Sequence, residues 1–136
     1  MPMFVWDEIY RVGIPRVDEQ HQRLFAIANR FHDAVERSAD RAALLAIFDE
    51  LLDYTAYHFA EEEQRMAEIG YPGLEKHRGY HRKLVSLVET YRHQLADGSS
   101  GIEARALEFI RTWLNAHVLG TDKELGAYAA EHNLVA

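Results

Sequence analysis

The sequence contains no cysteine, which excludes a disulfide framework, thiol catalysis, cysteine-bound zinc and cysteine-ligated iron–sulfur clusters. A cytoplasmic location fits that composition. Proline is scarce, with three residues, so little interrupts long helical stretches. No apolar run approaches the ~20 residues that a membrane span requires, so no membrane insertion is expected. The segment from Met1 to Asp7 lacks the basic and apolar regions of a signal peptide. Positive charge is in the minority: 15 Lys and Arg against 22 Asp and Glu give a net charge of −7, and the basic residues are scattered. That argues against nucleic acid or an anionic membrane as partner. There is no β alternation, low-complexity segment or internal repeat.

What is present is helical patterning. The 136 residues, 48% hydrophobic and 27% charged, read as one globular domain spanning 1–136. Residues 1–17, with Pro2, Gly13 and Pro15, read as an extended arm. A first helix is expected over about 18–37, opened by Asp18 as cap, with the stripe Leu24, Ala28, Phe31 and Val35. A second covers about 41–66, with Leu44, Phe48, Leu51 and Thr55. After the break Gly70-Tyr71-Pro72-Gly73, a third covers about 74–96, with Leu84, Val88, Tyr91 and Leu95. Beyond the loop Asp97–Gly101, a fourth covers about 102–119, with Ile102, Ala106, Phe109 and Trp113, and Gly120 ends it. Thr121 to Glu124 reads as a capping box that opens a short C-terminal helix within 121–132. The fold class is therefore all-α: an up-down-up-down four-helix bundle with an N-terminal extended arm and a short C-terminal helix.

Several stripe positions hold residues that a core does not tolerate alone. His21 lies near the start of the first helix, and His58 and Glu62 lie near the end of the second. His77 and His81 lie near the start of the third, and His117 near the end of the fourth. In an antiparallel bundle those positions share one end, so five histidines and one glutamate converge in one layer. Residues four apart differ by about 40° around a helix and about 6 Å along it, so His58/Glu62 and His77/His81 can each address one site. His117/Asp122 is a five-residue spacing that an ideal helix does not align; the break at Gly120 makes it possible. Neutral imidazoles with carboxylates and no thiolate suit iron, and also manganese or zinc. The donor set exceeds what one ion uses, so two ions are expected. If both carboxylates and an oxo or hydroxo group bridge two octahedral ions, one coordination position stays open for a small diatomic ligand.

The motifs Trp6-Asp7, Asp18-x-Gln20-His21, His58-Phe59-x-Glu61-Glu62 (with Ala60 at the x), His77-x-x-x-His81, Trp113-Leu114-x-x-His117 and Asp122-Lys123 resemble those of bacterial hemerythrins, in order and over nearly the whole chain. Each is weak alone; on four helices together they are specific. The resemblance implies a non-haem di-iron centre, with a bridging oxo or hydroxo, that binds O₂ reversibly. It implies one iron held by His77, His81 and His117, the other by His21 and His58, with Glu62 and Asp122 bridging. Phe59, Trp113, Leu114 and Val118 match the family's apolar wall around the O₂ pocket. The chain departs from the family in having Leu125 where a tyrosine is common three residues after the bridging aspartate.

The function expected is O₂ carriage, storage or supply, without enzymatic turnover. One rival is a sensor module acting through a separate partner; another is a di-iron oxidase, peroxidase or nitric-oxide-handling enzyme. No glutamate precedes any histidine by three residues, as ferritin-like di-iron enzymes require. His77-Arg78-Gly79-Tyr80-His81 lacks the glutamate that a zinc hydrolase of the HExxH type uses as base. Glu61 and Glu63 are expected to be solvated, with Glu61 the one placed to reach a ligand. Gln20 either orients a ligand or faces water. His32, His93 and His132 are expected at the surface. An O₂-consuming enzyme or redox protein is the kind of partner implied, and oligomeric state is not legible.

Overall fold

The computed structural model describes residues 3–132. Met1, Pro2 and the end of the tail lie outside the described residues. Its elements are α1 (Pro15–Glu36), α2 (Arg41–Glu68), α3 (Leu74–Asp97), α4 (Ile102–Ala116) and α5 (Asp122–Glu131). α2 packs between α1 and α3, and α4 packs on α1 and α3, which closes the up-down-up-down bundle. Among the described residues no helix is long and apolar enough to cross a membrane.

The helix starts follow local chemistry. α2 begins where Asp40 accepts from the Ala43 amide at 2.9 Å, relieving one of the free N–H groups of the first turn. α1 begins three residues earlier than the sequence suggested, because Pro15 occupies the first turn with its φ already helical. Asp18 is therefore not its cap. Its carboxylate reaches back and accepts from the amides of Val12 (2.7 Å) and Gly13 (3.2 Å), tying the arm to the helix.

The arm is not extended throughout. Glu8–Tyr10 form a 3₁₀ turn that Asp7 caps through the Ile9 amide at 3.1 Å. Ahead of it, Asn29 holds the backbone of Phe4 in both directions, at 2.7 and 2.8 Å. Phe4 stacks on Phe25, with Trp6 and Tyr10 around the same ring. Further on, the Val12 carbonyl lies so close to Gly126 of α5 that a Cβ there would collide with it.

The main departure lies after α4. Gly120 does not end the helix. His117–Thr121 form a π-helical turn, and α5 continues from it on the same run. The capping box at Thr121 does not form: Thr121 is itself helical, and its hydroxyl donates to the His117 carbonyl at 3.1 Å.

Two apolar clusters fill the interior. The larger contains Phe31, Phe48, Leu51, Leu95, Ile102 and Ile110, with Phe109 only packed against its edge, so α4 is turned slightly from the expected stripe. The smaller joins the arm to the far end of the bundle through Val12, Ile14, Val17, Met66, Leu125 and Ala129. Leu125 is thus an ordinary member of that packing, fully buried.

Candidate metal centre

Between the two clusters lies a polar layer. His21 comes from α1, His58 and Glu62 from α2, His77 and His81 from α3, His117 from the π turn and Asp122 from the start of α5. All seven are buried, none more than 4% exposed. The antiparallel register brings the five histidines and Glu62 into one layer, as the sequence predicted.

The π turn explains the pair that an α-helix would not align. Five residues of α-helix rotate by about 500°, leaving two side chains about 140° apart. A π turn closes its hydrogen bonds from i to i+5, and here the Asp122 amide donates to the His117 carbonyl. Residues 117 and 122 are then one turn apart on the same side. Asp122 Oδ2 lies 2.8 Å from His117 Nε2.

The carboxylates share the histidines between their oxygens. Glu62 Oε2 lies 3.4 Å from His58 Nε2, while its Oε1 lies 3.2 Å from His81 Nε2 and 3.8 Å from His77 Nε2. Asp122 Oδ2 lies 2.5 Å from His21 Nε2 and 3.6 Å from His58 Nε2, while its Oδ1 lies 3.5 Å from His77 Nε2. Donor atoms within 4.8 Å of one another form two groups: His21, His58, Glu62, His117 and Asp122, and Glu62, His77 and His81. By these distances His117 joins His21 and His58, whereas the family resemblance shares it with His77 and His81. Its ring stands between the groups, 5.4 Å from that of His58 and 5.6 Å from that of His81.

The layer fits metal ions and little else. Both Glu62 oxygens, Asp122 Oδ1, and Nε2 of His77 and His81 are buried without a hydrogen-bond partner. His58 and His117 point their Nε2 atoms at each other, 3.2 Å apart. Polar atoms left so in a dry interior are costly, and two cations would satisfy all of them at once. Protonation states point the same way. Burial lowers His58 to about 3 and His81 to about 4, and lowers His117 as well. These imidazoles are neutral near pH 7 and keep a free lone pair. Burial, and then the neighbouring Asp122 charge, raise Glu62 well above the usual carboxylate range. Burial alone would raise Asp122 too, but the adjacent His117, with His21 and His58 beside it, holds it well below the usual carboxylate range.

Outer atoms of the histidines are also held. His58 Nδ1–H donates to Gln20 Oε1 at 2.7 Å, so Gln20 faces inward. His81 Nδ1–H donates to Glu63 Oε2 at 2.9 Å. Glu63 was expected in solvent; it leans toward α3 because α2 and α3 pack closely there. Glu61 lies at the surface as expected, where it accepts from Arg16 and Tyr57 and reaches no histidine of the layer. His93 and His132 are exposed, and His32 lies half-covered beside Glu36.

The apolar residues Phe59, Trp113, Leu114 and Val118 are all buried in the main cluster. Phe59 lies parallel on His81 and meets Trp113 edge-on at 6.2 Å.

Residues 12–129 match the Hemerythrin HHE cation binding domain family. The chain is 34% identical over 140 residues to the bacteriohemerythrin of Stenotrophomonas maltophilia, covering 97% of this chain and 90% of that one. It is 32% identical over 119 residues to the myohemerythrin of Riftia pachyptila, covering 88% of each. The crystal structure of a wild-type hemerythrin superposes with a TM-score of 0.83 at 27% identity, covering 92% of this chain and 96% of that one.

Proposed function

The chain belongs to the hemerythrin family, and from that premise we propose that it binds O₂ reversibly at a non-haem di-iron centre, as a carrier, store or supply protein. In this reading His77, His81 and His117 would hold one iron and His21 and His58 the other, with Glu62 and Asp122 placed to reach both. The observation that carries a two-ion centre is the division of each carboxylate: one oxygen of Glu62 and one of Asp122 face His77 or His81, and the other two face His58 and His21. Reduced iron, when bound, supplies the electrons that make O₂ a ligand. The chain's own residues do the rest. Gln20 and Glu63 accept hydrogen bonds from Nδ1–H of His58 and His81, which leaves Nε2 free to face the centre. Phe59, Trp113, Leu114 and Val118 keep water from the layer, which slows oxidation of the loaded protein.

Hemerythrins are oxygen-binding proteins, and the site here supports binding over turnover. Among the described residues, the buried side chains packed around it are the facing histidines, the amide of Gln20 and apolar groups. A cysteine-free, acidic chain supports a cytoplasmic location, with an O₂-consuming enzyme or redox protein as its recipient. The test is the optical spectrum of the iron-loaded, reduced protein before air, after air and after deoxygenation. A visible charge-transfer band that appears and then disappears supports the proposal. Irreversible oxidation accompanied by substrate turnover would overturn it.

A further inference from the structure

The imidazoles differ in what holds their outer nitrogen. His58 donates to the neutral amide of Gln20 at 2.7 Å. His117 Nδ1 has only the Thr121 hydroxyl at 3.4 Å, and His21 Nδ1 is buried with no partner. His81 donates to a carboxylate, Glu63, at 2.9 Å. Glu63 is held in turn: its other oxygen lies 3.4 Å from Arg78 Nε, and Arg78 is anchored to Glu75 at 2.7 Å. Glu63 and His81 also line an open groove of about 420 Å³ between α2 and α3, floored by Ala56, Phe59, Ala60 and Val85. The carboxylate therefore stands at the surface end of a direct line into the layer.

A carboxylate on Nδ1–H draws the proton outward and makes Nε2 a stronger donor than a neutral amide does. It also adds a negative charge close to any cation that His81 binds. We propose that Glu63 is a positioning residue that makes the His77–His81 position the tighter of the two metal positions, the one filled first. This rests on the two-ion reading above and adds an order of loading to it.

The test is a titration of the metal-free full chain with Co²⁺, followed by calorimetry and by the visible d–d bands. Wild type should take up two ions in separable steps. His58→Ala should keep the tight step, and His81→Ala should lose it. Glu63→Gln retains a hydrogen-bond acceptor but not the charge; it should weaken the first step by about 10-fold or more. Gln20→Glu should strengthen the second step, so the two steps draw together. Thermal melting of metal-free Glu63→Gln should match wild type, because a merely structural role would lower stability and weaken both steps alike. An unchanged first step in Glu63→Gln, or equal weakening of both steps, would overturn the role of Glu63 while leaving the two-ion centre intact. Failure of the wild-type chain to take up two ions would overturn both readings.

Discussion

The ring of Phe59 lies parallel to the imidazole of His81, with 3.8 Å between centroids and 3° between planes. The same ring is 5.8 Å from His58 and 5.2 Å from His117, so one aromatic side chain touches histidines from three elements. It both sets the plane of His81 and closes the layer on the apolar side. Replacing Phe59 with alanine removes a buried ring, at a cost of about 3–5 kcal/mol in stability. The iron-loaded variant should also lose its O₂ band faster after exposure to air. Chemical denaturation and the decay of the visible spectrum read the two effects separately.

His58 is the imidazole nearest to Glu62 Oε2 and His117 Nε2. We predict that His58→Ala retains one iron per chain, or retains iron without the O₂ band. Iron analysis beside the spectrum decides it; full retention of both would remove His58 from the site.

The π turn offers a register test. Inserting one alanine after Gly120 should leave His117 and Asp122 six residues apart, about 120° from each other around an α-helix. Helix content by circular dichroism should hold, while metal stoichiometry falls from two to one or none. Unchanged stoichiometry would show that Asp122 is not needed there.

Acid should act on the metal-free chain through its histidines. His58 and His81 sit at about 3 and about 4, and His117 is lowered too, so the folded chain takes up those protons later than the unfolded chain, where ~6.5 applies. Below pH ~6.5 the unfolded state binds more protons, and stability falls with pH at up to about 1.4 kcal/mol per unit for each histidine. Glu62, raised by burial, works in the opposite direction, but it is one group against three. The metal-free Tm should therefore decline between about pH 6.5 and pH 4.5. A flat profile would contradict the burial of neutral imidazoles.

Gly126 is where arm and α5 meet. A Cβ there collides with the Val12 carbonyl, so Gly126→Ala should cost about 1–3 kcal/mol. Thermal melting measures it, and protease cleavage within the arm should rise in parallel.

Much of this was legible in the chain because the helix period exposes its own violations. His58/Glu62 and His77/His81 are four apart on stripes otherwise filled by Leu51, Leu84 and Val88, and a buried pair at that spacing has few meanings. The His117–Asp122 link was legible only as a possibility. Glycine between them reads as a stop, and a widened turn has no composition of its own. Asp18 carried the right chemistry for a cap, but Pro15 had already begun the helix and left its carboxylate free for the arm. Glu63 sits one residue beyond Glu62, off the narrow stripe. What brought it to His81 is how closely α2 and α3 approach, a property of two elements that neither shows alone.

The contact between Val12 and Gly126 reaches further than packing. Gly126 lies one helical turn beyond Asp122, on the same short rod, and the other end of the arm's grip is the Asp18 carboxylate on α1. The arm therefore works as a guy-line: fastened to the first helix and pressed against the last, it braces the rod that carries Asp122.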